Sequence, residues 1–298
     1  MPSEFSLPSF AKINWFLRVL GKRPDGYHEL CTLFQTISLH DTVHFAESDE
    51  LELTCDDPCV PTDDRNLIIK AAKALSATAG AKLGAEIRLE KRIPSPGGLG
   101  GGSSNAAVAL IGLVRLWQMD IEPAVLDRIA AGIGSDVPFF LYGGTAIGSG
   151  RGEVVETVGD ITEPSMLVAT PEVAVSTAMV YGRIDASGLT NEGVESILRV
   201  CRFMAKSGDL RGRTLINDLE SSVFSAEPEI ARVKETLLNL GAVKAVMSGS
   251  GASVFAIFDK EETRQAALKA LEIESNWRRF AVATVTREEY RKALQMTS

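Results

Sequence analysis

The sequence predicts an α+β protein in two parts, residues 1–158 and 159–298. Three observations predict it. Strand-type alternation fills much of the first sixty residues. Amphipathic helical stripes are mixed with short strands along the rest of the chain. Glycine turns such as Ser248-Gly249-Ser250-Gly251 join strands as hairpins, where a doubly wound sheet would need helical crossovers. The boundary near residue 158 is soft. With no internal repeat and no low-complexity linker, the halves are expected to pack closely.

In residues 10–17, Ala11, Ile13, Trp15 and Leu17 share one strand face and Lys12 and Asn14 the other. Val43, Phe45, Leu51 and Leu53 continue the β signal. Asp64 is placed to cap a helix whose apolar stripe is Leu67, Ile68, Ala71 and Leu75 and which ends at Gly80. Residues 85–93 alternate as a strand. Helices are expected over 103–118 and about 123–132, then a turn at 134–138 and strands near 141–149 and 153–158. The second half predicts a strand at 166–169 and helices near 176–184, 192–205 and 227–239. Strands 243–247 and 252–258 follow, then helix 260–272 and strand 279–285.

Composition excludes several classes. An apolar fraction of 45% and a charged fraction of 23% are those of a soluble globular chain. No apolar run reaches the roughly 18 residues that span a bilayer, so no membrane partner is expected. The start, Met-Pro-Ser-Glu-Phe, has neither a basic region nor an apolar signal core, which predicts a cytoplasmic protein. A net charge of −8 argues against nucleic acid but not against a phosphorylated small molecule, because one local loop can hold phosphate. Cys31, Cys55, Cys59 and Cys201 are too few to staple the chain and fit a reducing compartment. The pairs His40/His44 and Cys55/Cys59 have metal-like spacing. Their order is the reverse of a zinc finger, and the cysteines flank Asp56, Asp57 and Pro58, so they read as surface strand and loop residues.

The strongest chemical signal is residues 94–107, Pro-Ser-Pro-Gly-Gly-Leu-Gly-Gly-Gly-Ser-Ser-Asn-Ala-Ala, between a strand and a helix. Glycine lets the backbone approach a phosphate closely and adopt positive φ, and the helix start adds free N–H groups and a positive dipole end. The pattern asks for an anion. It is not a Walker loop, which needs Lys before Ser or Thr, nor a Rossmann fingerprint, whose glycine spacing it lacks. A flexible hinge is the plain alternative, but five glycines in residues 97–102 are a costly way to build one.

The pattern Pro-x-x-x-Gly-Leu-Gly-x-x-Ser-Ser resembles the ATP loop of the galactokinase, homoserine kinase, mevalonate kinase and phosphomevalonate kinase (GHMP) superfamily. Ala11-Lys12-Ile13-Asn14 is similar to its N-terminal motif, and Ser248-Gly249-Ser250-Gly251-Ala252-Ser253 to its C-terminal glycine motif. The three stand in the family's order and span nearly the whole chain. Three more segments narrow the likeness: Arg23-Pro24-Asp25-Gly26-Tyr27-His28, the run from Gly98 to Ala107, and Gly134-Ser135-Asp136-Val137-Pro138-Phe139. They resemble the branch that moves the γ-phosphoryl of ATP to a tertiary hydroxyl of a cytidine diphosphate substrate in the non-mevalonate isoprenoid pathway. The resemblance implies an N-terminal ATP domain like ribosomal protein folds and a ferredoxin-like C-terminal domain. Ser95-Pro96 departs from the family, which has small residues or glycine there.

Site residues follow from the resemblance. Lys12 and Asn14 read alone as a solvated edge face; the family makes Lys12 catalytic and sets Asn14 on the substrate. Asp136 reads alone as a turn or cap residue; the family makes it the carboxylate paired with the lysine. Tyr27 and His28 read alone as surface; the family stacks cytosine on Tyr27 and reads its edge with His28. Tyr181 would close the stack and Thr177 would touch the diphosphate or erythritol part. ATP would lie along Pro94, Ser95, Pro96, Gly97, Gly98, Leu99, Gly100, Gly101, Gly102, Ser103 and Ser104, with Asn66, Leu67 and Lys91 near adenine. Those last three read equally well as a cap, a core residue and a solvated lysine. ATP implies Mg2+, for which Ser104 is the one weak candidate ligand. The protein is expected to act as a monomer or weak homodimer. Alternatives are a homoserine- or mevalonate-type kinase, against which the Gly-Tyr-His segment argues, and a non-catalytic nucleotide-binding regulator, against which Lys12 and Asp136 argue.

Overall fold

The computed structural model describes residues 4–182, 194–208, 210, 212 and 214–296. Two long strands, β1 (Glu4–Lys22) and β2 (His28–Ala46), form an antiparallel hairpin around which the first half is built. The chain continues through β3 (Leu51–Cys55), α1 (Leu67–Ala79), β4 (Ala85–Glu90), α2 (Gly101–Leu116), α3 (Pro123–Ile133), α4 (Phe139–Tyr142), β5 (Thr145–Gly150) and β6 (Val154–Thr157). The second half holds β7 (Met166–Pro171), α5 (Thr177–Gly182), α6 (Val194–Ser207), β8 (Ile216–Asn217), α7 (Glu220–Ala226) and α8 (Pro228–Asn239). It ends with β9 (Lys244–Met247), β10 (Val254–Ile257), α9 (Glu261–Ala270), β11 (Trp277–Val282) and α10 (Arg287–Ala293). The expected helices 176–184 and 192–205 meet a stretch, 183–193, that lies outside the described residues.

The first sheet runs β3-β4-β2-β1-β8, with β5 also on β2 and β6 on β5. The second runs β11-β7-β10-β9, all antiparallel. In chain order that is fourth, first, third, second, the ferredoxin-like arrangement. The first half's strands end at Thr157 and the second sheet starts at Met166. Two pieces cross back: β8 pairs in parallel with β1, and α10 sends Tyr290 and Leu294 into the core between α2 and the first sheet.

Several expectations shift for identifiable reasons. A register irregularity between Asn14 and Phe16 reverses the alternation of β1. Phe16 therefore joins Ala11, Ile13 and Trp15 in the core, while Leu17 turns to the side of Lys12 and Asn14. The cap of α1 is Asn66, not Asp64: Asn66 is extended and its Oδ1 accepts from Ile68 N at 2.9 Å, whereas Asp64 pairs with Lys73 at the surface. The expected strand 85–93 stops at Glu90 because the next N–H groups turn to carboxylates, Lys91 to Asp56 and Arg92 and Ile93 to Asp41. Helix α2 begins two residues early, at Gly101, because Gly100 takes a left-handed φ of 70° and starts it. The strand expected near 141–149 is a helical turn, α4, followed by β5. Helices α7 and α10 are short and escape the periodicity; α10 carries a capping box from Thr286 and Glu289. Among the described residues no helix is long and apolar enough to cross a membrane.

Asn66→Ala should lower stability by about 1 kcal/mol through loss of the cap, whereas Asp64→Ala should stay within about 0.5 kcal/mol of the parent. Denaturant midpoints compare the two, and equal midpoints would remove Asn66 from the capping role.

Candidate active site

The site is built on the middle of β1. Lys12 is nearly buried there, its side chain 4% exposed, so it is not a solvated edge residue. A buried ammonium needs partners. Its Nζ donates to Asn14 Oδ1 at 2.7 Å and lies 3.3 Å from Asp136 Oδ2. Asn14 Nδ2 donates to Thr32 Oγ1 at 2.7 Å, and that hydroxyl donates to Phe16 O at 2.7 Å. The Phe34 ring lies 5.6 Å from the ammonium. Asp136, in the turn between α3 and α4, keeps 31% of its side chain exposed to a cavity of about 690 Å3.

The glycine loop forms one wall of that cavity, lined by residues 94–103. Gly98 has φ of 72°, and a Cβ there would lie 2.1 Å from Ser248 O; at Gly100 it would meet Lys12 and Phe140 at 2.9 Å. The loop is held from both sides. Lys12 N donates to Leu99 O at 2.9 Å. From the second half, Ser248 Oγ donates to Gly98 O at 2.9 Å and Ser253 N to Gly97 O at 3.1 Å. Asn217 shapes this second glycine motif, its Nδ2 donating to Met247 O and Gly249 O at 2.8 and 2.7 Å. Thr177 and Ser250 share a hydroxyl hydrogen bond of 2.9 Å at the cavity's edge. Gly101, Gly102 and Ser103 open α2 against the cavity, so its first N–H groups border open volume.

Three expected ATP residues do not line the cavity. Asn66 is the α1 cap. Ser104 is fully buried and accepts from Ser9 Oγ at 2.8 Å, behind the cavity wall. Lys91 is neither solvated nor free: its Nζ sits 2.5 Å from the buried Asp41 carboxylate. Asp41, unmarked by any sequence pattern, also accepts from Arg92 N, Ile93 N and Asn105 Nδ2 at 2.7, 2.8 and 2.9 Å. It fastens the end of β4 to the first turns of α2, directly behind the loop.

At the opposite end the cavity is aromatic and basic. His28 and Tyr181 stack with ring centres 5.5 Å apart. Tyr27 is 55% exposed and lies under the Arg151 guanidinium at 4.8 Å. Burial, then the charge of Lys22, pushes His28 below the ordinary histidine value. Burial, then the Asp136 carboxylate, pushes the Tyr181 hydroxyl up. The cavity therefore joins Lys12, Asn14, Tyr27, His28, Asp136, Thr177 and Tyr181 to the loop. Lys22, Phe34 and Arg151 line it too; each stands outside the motifs, and only folding brings it to the site.

The GHMP kinases N terminal domain model matches residues 66–144, and the GHMP kinases C terminal model matches 192–276. A 4-diphosphocytidyl-2-C-methyl-D-erythritol kinase of Thermodesulfovibrio yellowstonii is 40% identical over 89% of this chain and 93% of that relative. The chain belongs to the 4-diphosphocytidyl-2-C-methyl-D-erythritol kinase family of GHMP kinases. A family member from Bacillus mycoides is 43% identical over 83% of this chain and 86% of its own length. A crystal structure of 4-(cytidine 5'-diphospho)-2C-methyl-D-erythritol kinase superposes with a TM-score of 0.78 at 32% identity, covering 94% of this chain and 99% of that one. Homoserine kinase from Cytophaga hutchinsonii, at 20% identity and a TM-score of 0.70 over 97% of each chain, shares the fold. Membership makes the chain an ATP-using kinase of mixed α+β fold with GHMP N- and C-terminal domains.

Gly102→Val tests the loop cleanly. A Cβ there meets only Leu67 Cδ1, at 3.9 Å, so the fold should tolerate the change while the side chain enters the cavity. At Gly101 a Cβ would instead press on Ile93 and Lys91. The KM for ATP should rise about tenfold or more in Gly102→Val, a loss of about 1.4 kcal/mol. An unchanged ATP titration by calorimetry would take the helix start out of nucleotide binding.

Proposed function

We propose that the chain phosphorylates the 2-hydroxyl of 4-diphosphocytidyl-2-C-methyl-D-erythritol with ATP, a step of the non-mevalonate isoprenoid pathway. The observation that carries this reading is the cavity that runs from His28 and Tyr181, past Lys12 and Asp136, to the glycine loop. In it a cytosine and a triphosphate would approach one lysine–carboxylate pair from opposite ends.

In this mechanism Asp136 accepts the proton of the 2-hydroxyl as its oxygen bonds to the γ-phosphorus and the bond to the leaving ADP oxygen breaks. Lys12, 3.3 Å from the Asp136 carboxylate, offsets charge on the transferring group, and Asn14 fixes the lysine's direction. Residues 97–103 hold the phosphates with backbone N–H groups. Tyr27 and Tyr181 flank the cytosine, which would displace part of the His28–Tyr181 contact. Neutral His28 reads the base edge, its free ring nitrogen accepting from the exocyclic amine. Thr177 touches the diphosphate or erythritol part, and Lys22 and Arg151 supply positive charge at that end.

No group of three or more His, Cys, Asp or Glu that could hold a metal ion occurs among the described residues. The Ser103 hydroxyl, which lines the cavity where α2 begins, would hold Mg2+ as nucleotides carry it, bound mainly by phosphates and water. When bound it neutralises phosphate charge. A soft division near residue 158, with both halves contributing to each end of the cavity, a cytoplasmic setting and a monomer or weak homodimer belong to the same proposal.

An ADP-release assay against the cytidylyl substrate, mevalonate and homoserine tests the reading. Turnover of the cytidylyl substrate alone is expected; preference for either other alcohol would sink it, and no ADP from any would favour a regulator. Asp136→Asn and Lys12→Met should each lower kcat by about 10²-fold or more with ATP affinity kept. Single-turnover rates at the parental level would remove that residue from the chemistry.

The depressed His28 pKa sets a pH dependence. The ring is neutral at pH 7 and gains a proton only below the ordinary value of about 6.5. As pH falls through that lowered pKa the acceptor nitrogen is lost, so the KM for the cytidylyl substrate should rise. The KM for ATP should stay level. A His28→Ala variant should have a higher substrate KM with this acid limb missing, and retention of the limb would assign it to another group.

A further inference from the structure

Two buried thiols meet behind the substrate strand. Cys31 lies on β2 and Cys201 on α6, both 0% exposed, with Sγ atoms 3.8 Å apart. On β2 the residues alternate. Leu30, Thr32 and Phe34 line the cavity, whereas Cys31 and Leu33 face the other way, into a cluster with Ile197, Cys201 and Met204 of α6. The exposed Arg202–Glu156 pair ties the outer side of α6 to β6, a contact that salt screens readily. The phosphoryl-transfer mechanism uses neither thiol.

The two thiols share one contact in which either sulfur can donate. Whichever of them ionises finds a thiol proton donor already beside it. Full burial also selects the oxidant: a bulky disulfide such as oxidised glutathione has no approach, while a molecule near the size of water can enter as the fold breathes.

We propose that Cys31 and Cys201 form a reversible, peroxide-driven disulfide that fastens α6 to the back of the substrate strand. The thiolate of one attacks hydrogen peroxide: an S–O bond forms, the O–O bond breaks, and hydroxide leaves and takes a proton to become water. The sulfur of the other then attacks the sulfenic sulfur, forming the S–S bond and expelling a second hydroxide, which becomes water with the thiol's proton. Two thiols are oxidised by two electrons and one peroxide is reduced to two waters. Because the partner thiol is already in contact, the sulfenic acid is captured before further oxidation. The bond requires the sulfurs to close from 3.8 Å to about 2.05 Å, which draws Cys31 and its neighbours Leu30 and Thr32 toward α6. Leu30 and Thr32 line the cavity, and Thr32 accepts from Asn14, so the substrate end feels the link and the glycine loop does not.

The test uses the full chain with Cys55→Ser and Cys59→Ser, which removes the more accessible thiols. It is treated with hydrogen peroxide, denatured and alkylated with iodoacetamide. The expected product is lighter by two hydrogens, takes up no alkyl group, and yields a cross-linked peptide pair holding Cys31 and Cys201; dithiothreitol restores both thiols. Its KM for the cytidylyl substrate rises severalfold while that for ATP holds, and reductant reverses the change. Alkylation of both cysteines after peroxide, or sulfinic acid at one of them beside a free thiol at the other, would overturn the cross-link. A cross-linked form with unchanged substrate KM would overturn its effect on the site. The KM readout rests on the substrate reading given above, but the mass readout does not. A wrong substrate shows as absent turnover before oxidation. Cys201→Ala should keep the reduced enzyme's activity and lose the cross-link, and should that variant fold poorly the mass of the parent still decides.

Discussion

A lysine ammonium taken almost wholly out of water is the constraint from which the site follows. Lys12 is buried against the aromatic ring of Phe34, where an uncompensated charge would cost several kcal/mol. Asn14 and Asp136 supply the compensation, and each is fixed in turn: Asn14 through Thr32 to the backbone of β1, Asp136 by its turn between α3 and α4. The irregularity after Asn14 keeps this polar chain on the cavity face while Phe16 turns inward to the core. The strand thus holds charge and core within a few residues. The same arrangement that makes a buried lysine tolerable aims it, with a carboxylate, at open volume.

The glycine-loop end of the cavity is preorganised by both halves of the chain. Behind the loop, Asp41 draws Lys91, Arg92, Ile93 and Asn105 together, so the end of β4 and the start of α2 cannot drift apart cheaply. In front, Ser248 and Ser253 bond the carbonyls of Gly98 and Gly97. A glycine-rich segment loses much backbone entropy when ordered, and these bonds set that loss against folding rather than against nucleotide binding. The crossing elements β8 and α10 explain why the halves hold still: each half completes part of the other's structure.

What the sequence displayed was whatever is local. The glycine loop, the Lys12 strand and the Ser248 turn each carry their chemistry within a few consecutive residues, and the mixed strand and helix pattern was enough for an α+β fold. Asp41 and Lys91 were opaque because their meaning is mutual: fifty residues separate them, and only the sheet pairing makes one the other's counter-ion. Asn66 was ambiguous for another reason, since an asparagine before a helix serves the backbone and a ligand with the same atoms. Arg151 and Lys22 follow no pattern at all; they enter the site because the ends of β5 and β1 converge on it. The wrong face for Leu17 has a simple physical origin, an irregularity that strict alternation cannot anticipate.

The two ends of the cavity differ in how firmly they are made, and that difference bears on selectivity. The loop end consists of backbone, glycine and buried hydrogen bonds, which leave a nucleotide phosphate few alternatives. The aromatic end consists of side chains: Tyr27 is largely exposed, and the rings of His28 and Tyr181 rest on one another. On the proposed reading, an alcohol without a base would leave His28 without an edge to read, and discrimination among alcohols would sit in the adjustable end. Lys12 and Asp136 lie where that end meets the fixed one, so an acceptor that fails to order the aromatic end would also fail to present its hydroxyl to the carboxylate.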